Sequence, residues 1–154
     1  MITPRPYAAE TEVPVARSKA AIEAMLQQHG ATEFASGWSP THDRMQFRLF
    51  DRTIRFTLPR PDPTSRKFTH DRRGFRRTSQ AIQRQIEQAD RQRWRALYLV
   101  IRAKLEAVEA GISIFEQEFL AWVVMADDTT IGDILVPRIL SGTSTLLLPQ
   151  EAGR

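Results

Sequence analysis

Apolar residues Ile22, Met25 and Leu26, with His29, recur at helical spacing from Val15 onward, and Gly30 follows where a helix can end in a left-handed turn. The pattern predicts a helix over residues 15–29. Residues 32–39 predict a short strand, closed by the turn-prone Ser39-Pro40-Thr41. The period then becomes two. Met45, Phe47 and Leu49 alternate with Gln46, Arg48 and Phe50, and after an Asp51-Arg52 turn Ile54, Phe56 and Leu58 alternate with Arg55 and Thr57. Alternate residues of a strand share one face. The segment is therefore a hairpin with an apolar side toward the core, and Gln46, Arg48, Arg55 and Thr57 point away from it.

Residues 60–78 follow neither period. They are poor in aliphatic side chains, rich in arginine and interrupted by Pro61, Pro63 and Gly74, which is the composition of a long mobile loop. Helical spacing returns from Ser79 as a stripe through Ile82, Ile86, Trp94, Leu97, Tyr98, Ile101, Leu105, Val108 and Ile112, with Gly111 as the stop. Ala96, Ala103, Ala107 and Ala110 form a neighbouring small-residue face that would admit another helix closely. Ser113 and Glu116 have the spacing of a capping box, opening a helix that buries Phe115, Phe119, Leu120 and Val123. A turn at residues 126–129 leads to a short amphipathic segment carrying Ile131, Leu135 and Ile139.

The order is α+β: an N-terminal helix, a three-stranded antiparallel sheet, a basic loop at 60–78, a long helix and short C-terminal helices. At 154 residues, 42% hydrophobic and 26% charged, the chain suits one domain with its own core. That domain spans residues 15–142, between an extended arm over 1–14, which lacks the apolar centre of a signal peptide, and a tail over 143–154. Cysteine is absent, so there are no disulfides, thiolate metal ligands or Cys nucleophile. With no apolar run long enough to cross a bilayer, the expectation is a soluble protein of the cytoplasm.

Charge sharpens the picture. From Arg60 to Lys104, thirteen Lys and Arg stand against four acids, a net +9, whereas from Leu105 to the end eight acids stand against two arginines, a net −6. A concentrated positive field attracts polyanions by releasing their counterions, which makes nucleic acid, DNA or RNA, the first partner to consider. Arg66, Lys67, Arg72, Arg73, Arg76 and Arg77 are interleaved with Phe68 and Phe75, offering charge to phosphates and ring faces to bases. The planar guanidinium fork suits phosphate oxygens and stacking. Arg84, Arg91, Arg95 and Arg102 fall at intervals of seven, four and seven, along one side of the long helix, where they can track a backbone. Arg48 and Arg55 would add to this surface from the outer sheet face. The bland counterpart is a solvated face paired with Glu87 and Asp90. Trp94 on the stripe and Trp122 in an apolar helix belong to packing, whereas Trp38, beside Gly37 at a strand end, fits either environment.

Catalytic chemistry is sparse, so the chain reads as a non-enzyme. His42-Asp43 and His70-Asp71 are sequence neighbours, and the chain has no His-x-x-x-His, Gly-rich phosphate loop or Gly-x-Ser-x-Gly. Glu106, Glu109, Glu116, Glu118, Asp127, Asp128 and Asp133 offer carboxylates for a nuclease-type Mg²⁺ site, but helical spacing explains most of them as solvent-facing charges. No cofactor is expected. The opposed charges of the middle and the C-terminal third also permit a head-to-tail homo-oligomer, with neutralisation inside a monomer as the alternative.

An α-β-β-β-α order is similar to that of double-stranded-RNA-binding domains and, more loosely, of phage single-strand annealing proteins, a likeness of fold alone. The run Arg91-Gln92-Arg93-Trp94-Arg95-Ala96-Leu97, then Ala103 to Ile112 and Glu116 to Ala121, resembles a group of small uncharacterised proteins of phages and prophages. Arg17-Ser18, Gly30-Ala31 and Ile54 to Pro59 extend that likeness over most of the chain. The resemblance implies a genomic setting, in which genes of this size serve DNA metabolism or block host defence, and it assigns no residue a role. The leading expectation is a non-enzymatic protein binding the phosphate backbone of single-stranded nucleic acid with little sequence preference. The alternative is an interaction protein that inhibits a host protein or a nucleic-acid-guided defence complex.

Overall fold

The structure, a computed structural model, describes residues 8–142; the first half of the expected N-terminal arm and the tail over 143–154 lie outside these. The elements run α1 (Val15–Gln28), β1 (Glu33–Trp38), β2 (His42–Leu49), β3 (Arg52–Pro59), α2 (Arg66–Thr69), α3 (Ser79–Glu109), α4 (Phe115–Phe119), a 3-10 turn (Leu120–Trp122) and α5 (Ile131–Leu140). This is the α+β arrangement that the periodicity predicts. No helix among the described residues is long and apolar enough to cross a membrane.

The strands form one antiparallel sheet in the order β1-β2-β3. Its register stacks Phe34, Phe47 and Ile54 in one row and Ser36, Met45 and Phe56 in the next, all on the same face. Burying that face against α1 and α3 removes the alternating apolar residues from water, the dominant favourable term in folding. Ile22 and Leu26 of α1, Met45, Phe47, Leu49, Ile54 and Phe56 of the sheet, and Trp94, Leu97, Ile101 and Leu105 of α3 make this core, closed at one end by Phe115 and Phe119. Phe119 meets Phe47 edge-on, with centroids 6.1 Å apart.

The hairpin turns one residue earlier than its sequence suggests. Leu49 pairs with Arg52, so Phe50 and Asp51 form the turn, with φ of 48° and 57°. A two-residue turn with both φ positive matches the twist of its strands but favours Asn or Gly. The Phe50 ring packs on Phe115, centroids 5.2 Å apart, which offsets part of that strain.

The basic loop is folded. It holds α2, then a narrow hairpin in which His70 bridges Arg76 and the Asp71 carboxylate accepts the amides of Arg73 and Phe75 around Gly74, where φ is 86°. Sparse aliphatics hid this order, because the segment is pinned by Phe68, which is buried, and by polar turn bonds instead of by a stripe.

After Gly111, where φ is 69°, the helix-start signal at Ser113 and Glu116 is not used. Ile114 precedes α4 without a side-chain cap, and the Ser113 hydroxyl donates to Glu118 at 2.6 Å. Leu120, expected inside, is 48% exposed. The capping box forms instead at Thr130 and Asp133, heading α5. Between them the chain joins β3: Val123 bridges Ile54, and the Val124 amide donates to the Thr53 carbonyl at 2.8 Å. Near the other end of β3, Arg93 donates to the Pro59 carbonyl. No described segment pairs with the outer edge of β1.

On the small-residue face of α3, Ala96, Ala103 and Ala110 are exposed, and the short α2 lies beside Ala96. α1 lies on another side, with Lys19 over the Trp94 ring at 4.5 Å.

Candidate nucleic-acid interface

The arginine-rich middle divides into cations that hold the fold together and cations that face solvent. Arg93 is the clearest of the first kind. From α3 it reaches Asp43, which is buried on β2, at 2.9 Å, and it also bonds Asp90 and the carbonyls of Leu58 and Pro59. Arg60 adds a second, looser contact to Asp43 at 3.4 Å. Lys104 spans to the carbonyl and carboxylate of Glu118 and lies over the Trp122 ring. The Ser113 hydroxyl, helped by Lys104, holds the Glu118 carboxyl below its ordinary range.

Arg55 is the main correction to the expected interface. Its strand position points it off the helical face, as alternation requires, but the C-terminal segment folds over that face and buries it. Its guanidinium donates to Gln46 at 3.1 Å, to the Asp128 carbonyl at 2.7 Å and to the Asp128 carboxylate. It clamps the turn before α5 and has no free face for a phosphate. Phe68 is likewise in the interior and offers no ring for stacking. Arg77 donates to the carbonyls of Lys67 and Phe68 at 3.0 and 3.1 Å, which caps the end of α2.

What remains exposed is compact. Arg66, Lys67, Arg72, Arg73 and Arg76 stand in solvent on the folded excursion, and none makes an ion pair among the described residues. Phe75, at its tip, is 70% exposed. The two acids there serve turns: Thr64 donates hydroxyl and amide to Asp62, which lowers the Asp62 carboxyl pKa, and Asp71 holds the hairpin.

The helix ridge is only partly available. Arg84 and Arg102 are exposed, Arg91 bonds Gln88 at 2.6 Å, and Arg95 lies over the Tyr98 ring at 4.5 Å. Arg102 lines a cleft with Met25 and His29, on the flank of α3 that α1 covers. The excursion rests on a different flank, beside Ala89, Gln92 and Ala96. At about 100° per residue these flanks diverge, so from Arg91 onward the ridge and the excursion are separate patches. Arg48 is exposed on the open sheet face, with Asp51 3.8 Å away.

Spacing did not single out Trp38 and Arg60. The register places Trp38 opposite Asp43, on the edge strand β1, where it is 74% exposed. Arg60, one residue past β3, lies 5.5 Å from the indole centroid. Only cross-strand pairing reveals this neighbourhood. Among the described residues, no group of three or more His, Asp or Glu is gathered to hold a metal ion. Asp127 and Asp133 instead accept from Thr129 and Thr130, which lowers both carboxyl pKa values. Compared with family models, curated proteins and solved structures, the chain matches none.

Proposed function

We propose that this chain binds nucleic acid without reacting on it, gripping phosphates of a single strand through the folded excursion with little preference for sequence. One observation carries the reading: Arg66, Lys67, Arg72, Arg73 and Arg76 are exposed on one folded excursion with the exposed Phe75, and none makes an ion pair among the described residues. Cations left unpaired on an ordered scaffold repel each other, and a polyanion relieves that repulsion while releasing its own counterions. The flank carrying Arg84 and Arg102 gives a longer strand a second contact. Arg55, Phe68 and Arg77 support the fold beneath.

Binding to DNA and RNA oligonucleotides across a salt series tests this. The expected plot of log affinity against log salt is steep, and replacing Arg72, Arg73 and Arg76 with Ala should lower its slope by about 0.7 for each single-strand phosphate no longer neutralised. Absent or salt-independent binding rejects the reading.

A second reading, an interaction protein acting on a host complex, draws on the apolar side chains left exposed on α5: Val136, Ile139 and Leu140. Pull-down from nuclease-treated lysate separates the two, because a protein partner survives that treatment and a nucleic-acid bridge does not.

A further inference from the structure

Trp38 is the least expected exposed side chain in the molecule. An indole carries one of the largest apolar surfaces of any residue, and the two other tryptophans are packed: Trp94 is 1% exposed and Trp122 lies against Phe56, centroids 4.9 Å apart. Trp38 is on the same sheet face as the core, opposite Asp43, yet it stands on the edge strand β1, where its face-mate Ser36 is exposed as well. Its one described ring partner is Arg60.

Arg60 is held from several directions. Its Nε is 3.4 Å from the buried Asp43, its Nη1 donates to the Ser39 carbonyl at 3.3 Å, and its amide donates to the Thr41 carbonyl at 2.9 Å. Asp43 is fixed in turn by Arg93. The guanidinium is thus a preset cation over the indole ring. Arg60 also lines a cleft of about 360 Å³ whose far wall is Lys67 and Phe68. That cleft joins Arg60 to the base of the arginine excursion, with Pro59, Pro61 and Ala96 supplying apolar walls.

We propose that Trp38 and Arg60 form a stacking subsite for one unpaired nucleobase, with Lys67 placed for the adjoining phosphate; this rests on the nucleic-acid reading above. Every base has a π-face, so stacking on indole tolerates sequence, and the Arg60 cation over the ring adds attraction for the stacked pair. A base inside a duplex keeps both faces against its neighbours and cannot use the ring. The subsite therefore selects single strands, whereas the excursion's charges act on phosphates of either form.

Because only Trp38 is largely exposed, tryptophan fluorescence reports on it directly. Titrating the full chain at low salt with a thymidine oligonucleotide should quench and shift the emission, and an equal-length duplex should not. Trp38→Ala should weaken single-strand binding about 5- to 100-fold, the range for removal of one stacked base. It should leave duplex binding and the salt slope as they were. Trp38→Phe, which keeps a ring, should retain most of the affinity while abolishing the quench. Unchanged circular dichroism and Trp94 emission show that each variant is folded. If Trp38→Ala binds single strands as tightly as the parent with the salt slope intact, the subsite is overturned and the phosphate grip stands. If neither oligonucleotide binds the parent at low salt, the nucleic-acid reading falls and the subsite with it.

Discussion

Arginines that look alike in the sequence do different work in the fold. Arg93 compensates Asp43, a carboxylate 4% exposed, and removing the cation leaves that charge buried with only the looser Arg60 beside it. Breaking such a pair costs about 3 kcal/mol. Arg76, in solvent and without an ion pair among the described residues, is expected to cost under about 0.5 kcal/mol. Urea unfolding of Arg93→Ala and Arg76→Ala should therefore separate widely, with the loss of nucleic-acid affinity ranked the other way. The sequence could not sort them, because the deciding fact is where Asp43 lands. Its register against Leu58 and Trp38 places it facing the core, and no local pattern around His42-Asp43 reports that. Arg55 makes the same point: alternation gave its direction correctly, and a turn 73 residues away decided what covers it.

Elements defined by a repeated apolar spacing were legible, and those defined by polar bonds were not. α1, β2, β3 and α3 have strong periods, β1 is marked by the turn that closes it, and glycines with positive φ end both helices. α2 and the hairpin after it rest on Asp71, Arg77 and one buried Phe68, so they read as loop. α5 shows how finely a short element can depend on single contacts. A Cβ on Gly132 would sit 2.7 Å from the Ala121 carbonyl oxygen, a backbone atom that cannot swing aside. Gly132→Ala is expected to cost about 2 kcal/mol and to lift α5 from the 3-10 turn, seen as faster amide exchange in residues 131–140. Acid should act on the same helix. Bonds from the Thr130 amide and hydroxyl hold the Asp133 carboxyl below its unfolded value. The capping contribution is therefore complete above about pH 4 and fades as pH falls through the lowered folded pKa. NMR titration of the Thr130 amide should show that loss, and Asp133→Asn should remove its pH dependence.

At the scale of the whole molecule, the net charge of +4 is a poor guide and its distribution a better one. The basic middle is consumed in part by internal clamps to Asp43 and Glu118, so acids outside that segment neutralise cations within it. What survives is a patch smaller than the sequence suggests, set on a rigid support, and the salt series is the measurement that sizes it.

The sheet is also asymmetric at its margins. Val124 and Arg93 touch the outer side of β3 near its two ends, while among the described residues nothing pairs with the outer edge of β1, which carries the small residues Ala35, Ser36 and Gly37. A strand arriving from elsewhere would find an open edge there. Two copies meeting along β1 would each cover the other's edge, so that contact closes on itself and leaves no berth on β1 for a third.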